Sequence, residues 1–212
     1  MLAPGLATML VVITTDAVVD PSALHDQLAA ATMISFDRVD SDGCMSTNDT
    51  VLLLSSGASG IAPDPDELTA AVTEVCTDLA LQLVADAEGS SHTITIDVVN
   101  AACDEDAVEV GKSIARNNLF KCAVFGNDPN WGRVLSAVGT TSAAFEPDQL
   151  DVSFNGVQVC RAGGIGEPRE LVDLSGREVS VVVDLHAGDR RARIWTTDLT
   201  YDYVRENAEY ST

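Results

Sequence analysis

The residue with the most distinctive chemical potential is Thr8, in the stretch Ala7-Thr8-Met9-Leu10-Val11-Val12-Ile13-Thr14-Thr15-Asp16-Ala17. Held in an amide, its nitrogen has almost no basicity and its hydroxyl is an ordinary alcohol. Cutting the Ala7–Thr8 bond would put a hydroxyl and a free α-amine on one residue. A terminal amine has a pKa of about 7.7–8.0, so it can take the hydroxyl proton near neutral pH. For an isolated threonine the default reading is a β-branched residue in a strand. Glu88 is the next candidate, in Ala85-Asp86-Ala87-Glu88-Gly89 at the end of a long apolar-periodic stretch. A helix C-terminus already carries partial negative charge, so a carboxylate there is either a solvated acid or a functional one. Two further stretches concentrate polar groups. Asp40 to Thr50 is a small, polar loop that feeds an apolar run, with no specific role assigned to Asn48 or Asp49. Phe125-Gly126-Asn127-Asp128-Pro129-Asn130-Trp131-Gly132-Arg133 has the residues of a strand–turn–helix junction. In it Asp128 would be the N-cap, Pro129 the first helical residue and Trp131 a core anchor.

The elements that must position these residues follow from periodicity. Met9 to Thr15 is almost unbroken in apolar and β-branched residues and predicts a buried strand, as does Val51 to Gly57. Asp20-Pro21 and Asp64-Pro65-Asp66-Glu67 are helix starts. Leu24, Leu28 and Ala31 carry the first helix from Pro21 to about Ser35, with His25 on its surface. Leu68, Val72, Val75, Cys76, Leu79 and Leu83 make one stripe of a second helix reaching about Asp86, ended by Gly89. A domain boundary is expected near Ser90, giving residues 1–90 and 91–212. Beyond it, His92 to Val98 alternates as a half-buried strand. Asp104 to Arg116 has acids at its start and bases near its end, as a helix prefers. Leu119 to Phe125, Asp151 to Arg161 (with an Asn155-Gly156 turn), Val179 to Leu185 and Arg191 to Thr197 predict strands, and Tyr201 to Tyr210 a short terminal helix.

Composition excludes several functions. The formal net charge is −21, against which a nucleic acid backbone would be repelled. The acids are uneven: residues 1–90 carry 14 of them and the single base Arg38, whereas 91–212 carry 19 acids and 11 bases. A cationic amino acid would not be repelled. No apolar run approaches the ~20 residues of a membrane span, and the first residues lack a basic signal-peptide region. The 5 cysteines are widely spaced and read as small buried hydrophobes in a reducing compartment, the cytoplasm. The histidines His25, His92 and His186 are too scattered for a structural zinc site.

Taken together, Met1-Leu2-Ala3-Pro4-Gly5-Leu6-Ala7-Thr8-Met9-Leu10 with Thr14-Thr15-Asp16-Ala17, the run Ser46-Thr47-Asn48-Asp49-Thr50-Val51-Leu52-Leu53-Leu54, the Ala85–Gly89 motif and the Phe125–Arg133 motif resemble the glutamate N-acetyltransferase (ornithine acetyltransferase) family. The resemblance covers essentially all 212 residues. The glycine-rich run that leads into the first segment in that family is absent here. The resemblance implies a precursor that cuts itself between Ala7 and Thr8, this chain being the β chain with a short α-chain tail. It implies an α/β fold of the N-terminal-nucleophile type: a sandwich-like domain completed by the α chain, and a mixed α/β C-terminal domain. Thr8 would be both nucleophile and substrate contact, with Glu88, Asn207 and Thr212 as further substrate-binding residues.

The implied reaction is acetyl transfer from N-acetylornithine to glutamate in arginine biosynthesis, through an acetyl-threonine intermediate, with no cofactor and no metal. The implied assembly is an α2β2 heterotetramer, the oxyanion donors and a substrate-binding lysine lying on the α chain. Two other readings stand beside it. One is an N-terminal-nucleophile aminopeptidase or amidase that passes the acyl group to water. The other is a non-catalytic subunit that only completes its partner's fold.

Overall fold

The computed structural model describes residues 9–44 and 46–209. Ala7, Thr8 and Thr212 lie outside the described residues. The first part of the chain places β1 (Leu10–Thr15) beside β2 (Thr50–Ser55) in a parallel pair, Leu10 opposite Thr50 and Thr15 opposite Ser55. Helices α1 (Pro21–Met33) and α2 (Pro65–Ala85) cover one face of the pair. Asp20 and Asp64 cap them as the sequence predicts, each accepting a backbone N–H from the first turn, with Pro21 and Pro65 as the first helical residues. Met9, Leu53, Leu68, Val72 and Cys76 meet in the resulting core.

The second part is built on a larger sheet. Strands β3 (Thr93–Ala101), β4 (Asp151–Phe154), β5 (Val157–Arg161), β6 (Gly164–Ile165), β7 (Glu178–Asp184) and β8 (Arg190–Thr197) lie in the order β6-β5-β4-β7-β3-β8. β3 runs parallel to β7 and antiparallel to β8. Helices α3 (Asp104–Ala115), α4 (Asn118–Phe125) and α5 (Trp131–Val138) pack on one face. Ile94, Ile96 and Val98 of β3 are fully buried there against Val110 and Ile114 of α3 and Phe120 of α4. Asn155 and Gly156 both have positive φ and turn β4 into β5 as a tight hairpin. A last helix, α6 (Tyr201–Glu209), buries none of its residues.

The structure is mixed α/β, as expected, and departs from the sequence reading at several points. Residues 119–125 are helical, not a strand. Asn117 caps the helix by accepting the Phe120 N–H, and Phe120 and Val124, four apart, share the buried face. The junction after it is therefore helix–turn–helix. Its second helix starts later than expected: Asn130, not Asp128, is the N-cap, accepting the Arg133 N–H, while Asp128 accepts from the Asn130 side-chain amide. Gly89 does not end α2, which stops at Ala85 with Asp86 as its cap. In the α2 stripe Ala80 and Val84 are buried and Val75 points out, because the packed face follows Leu68, Val72 and Cys76 at four-residue steps. Only Cys76 and Cys160 are buried, whereas Cys103 caps α3 and Cys44 and Cys122 are exposed.

The paired strands β1 and β2 are buried on one face only. Leu10 is 74% exposed and Val12 61%, with Leu52 and Leu54 beside them. The unbroken apolar run predicts burial on both faces, but among the described residues nothing covers the outer one. Helix α2 is long and apolar enough to cross a membrane, at 21 residues and a mean hydropathy of 1.4 over its most apolar window. Its stripe is instead packed in a protein core, and core helices share those measures.

Two substitutions test this architecture. A Cβ on Gly111 of α3 would lie 2.5 Å from Cγ1 of buried Ile194 on β8, with no room for the branched side chain to yield. Gly111→Ala should lower stability by about 1–3 kcal/mol, read as a shift in the urea midpoint. Lys121 is almost fully buried between the two parts, its ammonium donating to the Ser41 carbonyl. Burial pulls its pKa down to about 8, against the opposing pull of Asp42, Asp40 and Asp198. The unfolded chain keeps this proton to about pH 10.4. Between those values the unfolded state binds more protons, so this group makes stability rise with pH. Lys121→Met should remove that rise between about pH 8 and 10; parallel pH–stability curves for the two proteins would contradict it.

Candidate active site

Thr8 is bonded to Met9, and Met9 is held from both sides. Its N–H donates to Oδ1 of Asp49 at 2.7 Å, and its carbonyl accepts the Thr50 N–H at 2.8 Å. Asp49 thus fixes the backbone directly after the nucleophile candidate. Sequence reasoning gave it no role, since an acid in a polar loop carries no mark of its partner. The loop that bears Asp49 is itself tied down at its start. Asp40 donates its N–H to the Trp195 carbonyl of β8 and its carboxylate accepts from Gly43 N–H at 2.9 Å and from Arg116 Nε at 2.5 Å. Gly43 has φ +77, which lets the chain turn back onto that carboxylate. Met9, Phe36, Asp40, Asp49, Lys112 and Arg116 line a cleft of about 450 Å³ beside this loop. It is large enough for an amino-acid-sized molecule. His25, expected on the surface of α1, is exposed on the rim of this cleft.

Glu88 lies in the turn that follows α2. That turn is made tolerable for a carboxylate by Arg177, whose guanidinium bonds the Ala85 carbonyl at 2.5 Å and reaches the Ser90 carbonyl and hydroxyl. A cation on the last carbonyls offsets the helix dipole. Asn207 of α6 donates to Oε2 of Glu88 at 3.1 Å and to the Tyr203 carbonyl at 2.9 Å. The structure therefore brings two of the predicted site residues together. Tyr203 stands beside them; its phenol is pushed above the usual range by burial, then by the carboxylates of Asp42 and Glu88. Through Tyr203 and Asp42 the Glu88 turn and the Asp40–Asp49 loop are neighbours. Tyr203 was not singled out from sequence because a tyrosine in a terminal helix has no distinguishing pattern.

Ser91, His92 and Asp198 also meet, with the residue types of a hydrolase triad. Their geometry is structural. Asp198 is fully buried and accepts from both backbone N–H groups, from the Ser91 hydroxyl and from His92 Nδ1 at 2.7 Å, while His92 Nε2 faces the Leu174 carbonyl at 3.0 Å. The Ser91 Oγ lies 3.0 Å from His92 Nδ1, but the hydroxyl donates to Asp198, which binds the same ring nitrogen, so the imidazole does not stand between carboxylate and serine as a triad requires. The Phe125–Arg133 motif reaches the region at its first residue, where Phe125 meets Tyr201 edge-on, ring centroids 5.4 Å apart. Among the described residues no cluster of histidine, cysteine and carboxylates has the arrangement of a metal site.

Comparisons with known proteins point to one family. The model of the ArgJ family matches residues 1–212. The arginine biosynthesis bifunctional protein ArgJ of Streptomyces coelicolor is 66% identical over 211 residues, covering 100% of this chain and 55% of that protein. The protein of the same name from Mycobacterium leprae is 57% identical over 212 residues, covering 52% of its length. The chain thus spans about half the length of the curated relatives it matches. The crystal structure of the arginine biosynthesis bifunctional protein argJ from Bacillus halodurans superposes with a TM-score of 0.90 at 35% identity, over 95% of this chain and 100% of that one. With the family model matched along its whole length, this chain belongs to the ArgJ family.

Proposed function

We propose that this chain is the nucleophile-bearing β chain of a glutamate N-acetyltransferase that takes acetyl from N-acetylornithine. The observation that carries the reading is the Glu88–Asn207 contact at 3.1 Å between residues 119 apart in sequence. Both were expected to bind substrate on separate motifs, and they form one polar corner. The hold on Met9 supports Thr8 as the reacting group, because it fixes the backbone one bond away.

The chemistry follows from Thr8. In the precursor its Oγ attacks the Ala7 carbonyl; the C–N bond breaks, the nitrogen becomes a free amine, and water hydrolyses the ester left behind. In the mature enzyme the α-amine takes the Oγ proton as Oγ attacks the acetyl carbonyl of N-acetylornithine. The amide C–N bond breaks and ornithine leaves with that proton. Glutamate's α-amine then attacks the acetyl ester and loses a proton to the Thr8 amine, which returns it to Oγ. Such a double displacement gives ping-pong kinetics. Glu88 and Asn207 would hold the amino-acid part of either substrate, joined by Thr212 at the end of the chain.

The partner in this reading is an α chain from the same precursor, in an α2β2 heterotetramer working in the cytoplasm. The exposed face of β1 and β2, with Leu10, Val12, Leu52 and Leu54, is the surface that α chain would cover. In the same reading the chain divides near Ser90, with residues 1–90 in the shared domain and 91–212 in the C-terminal one. The two separate hydrophobic cores support that division.

Two variants of the protein made from its complete reading frame test the proposal. Thr8→Ala should stay a single chain on a gel and transfer no acetyl. Glu88→Ala should cut normally and lose transfer by about 10²-fold or more in kcat/KM. Normal processing of Thr8→Ala would remove Thr8 from the chemistry, and an unchanged kcat/KM for Glu88→Ala would leave Glu88 a surface acid.

A further inference from the structure

Helix α6 is an unusual support for a site residue. It is nine residues long, buries none of them, and is too short to be stable by its own hydrogen bonds. Its position must come from what holds its first turn. There, Thr200 is only 4% exposed. Its Oγ1 donates to the Gly89 carbonyl at 2.6 Å and accepts the Tyr203 N–H at 2.9 Å. The same Tyr203 offers its carbonyl to Asn207, which in turn donates to Glu88, the neighbour of Gly89. Glu88, Gly89, Thr200, Tyr203 and Asn207 thus close a ring of hydrogen bonds. Gly89 makes the approach possible. Its φ is +57, and a Cβ there would lie 2.4 Å from the Tyr203 nitrogen and 2.6 Å from the Asp202 carbonyl carbon, both backbone atoms.

We propose that Thr200 and Gly89 are positioning residues, a latch that docks α6 on the turn after α2 and so sets the Glu88–Asn207 pair that receives the substrate. The proposal rests on the reading of that pair as substrate contacts. Neither latch residue touches substrate; each acts through the helix it places. The ring explains why a glycine follows Glu88 when it does not cap α2. It also explains why a threonine, with a donor and an acceptor on one atom, stands before α6. The buried Asp198, two residues earlier, fastens the chain to Ser91 and His92, so the latch works from a fixed base.

The test compares Thr200→Val, Thr200→Ser and Gly89→Ala in the complete two-chain enzyme. Valine keeps the volume and removes both hydrogen bonds; serine keeps both. Thr200→Val should raise KM for N-acetylornithine and glutamate by about tenfold, the equivalent of one or two hydrogen bonds. Its kcat should fall less than KM rises, and self-cleavage should remain complete on a gel. Hydrogen exchange at the backbone amides of residues 203–209 should accelerate. Thr200→Ser should restore both KM and exchange, and Gly89→Ala should behave like Thr200→Val. Faster exchange with an unchanged KM would overturn the latch, as would a KM defect that serine does not rescue. If the wild-type enzyme moves no acetyl between these substrates, the functional reading itself fails, and that is seen before any variant is made.

Discussion

Asp40 is where the loop that clamps Met9, the neighbour of the proposed nucleophile Thr8, is fastened to the larger sheet. Its carboxylate is almost fully buried and is satisfied by the Gly43 N–H and the Arg116 guanidinium, while its own N–H bonds Trp195 on β8. A buried carboxylate without such partners would be costly, so the contact forces two surfaces together: the segment leading to β2 and the helix–sheet layer of α3 and β8. Everything downstream in the loop inherits that fixed point. Asp49 can reach the Met9 amide because the loop starts from Asp40, and Lys121 is buried under the same loop through the Ser41 carbonyl. The Met9 segment is thereby referenced to the core around β3, where Ile94, Ile96 and Val98 are fully buried.

The two halves of the site are held by different forces. The larger core is apolar and close-packed, with Phe120, Phe154, Ile94 and Ile96 fully buried, and it gives stiffness without chemistry. The Glu88 turn and α6 bury little and are held by directed polar contacts: Arg177 on the end of α2, Asp198 on Ser91 and His92, and Thr200 on Gly89. Such contacts are directional and add only modest net stability. Segments of that kind open and close more readily than core strands. If the proposed function holds, a substrate corner built from them would admit and release a small amino acid while Met9 stays clamped.

Much of this was legible in the sequence because it depends on local rules. The Asp-Pro helix starts and the Asn155-Gly156 turn are written in adjacent residues, and the structure keeps them; the α2 stripe is kept in part, with Val75 outside it and Ala80 and Val84 added. The motif resemblance pointed to Glu88 and Asn207 but not to their contact, which depends on a chain reversal more than a hundred residues later. Residues 119–125 misled because Leu, Phe and Val in a short run satisfy a buried strand and a buried helix equally; the Asn117 cap decided it. Asp49, Asp198, Arg177 and Thr200 were invisible for a different reason. Each is an ordinary polar residue whose role is defined by a partner far along the chain. The outer face of β1 and β2 shows the reverse: the sequence is apolar enough for burial on both faces, and the described residues cover one.

The central claim is that acetyl passes through Thr8. The most direct measurement is to mix the two-chain enzyme with N-acetylornithine alone, quench in acid, digest, and weigh the peptide that begins at Thr8. It should be heavier by one acetyl group, carried as an ester that hydroxylamine removes, and adding glutamate before the quench should discharge it as N-acetylglutamate. An unmodified Thr8 peptide under conditions where N-acetylglutamate is being formed would contradict transfer through this residue.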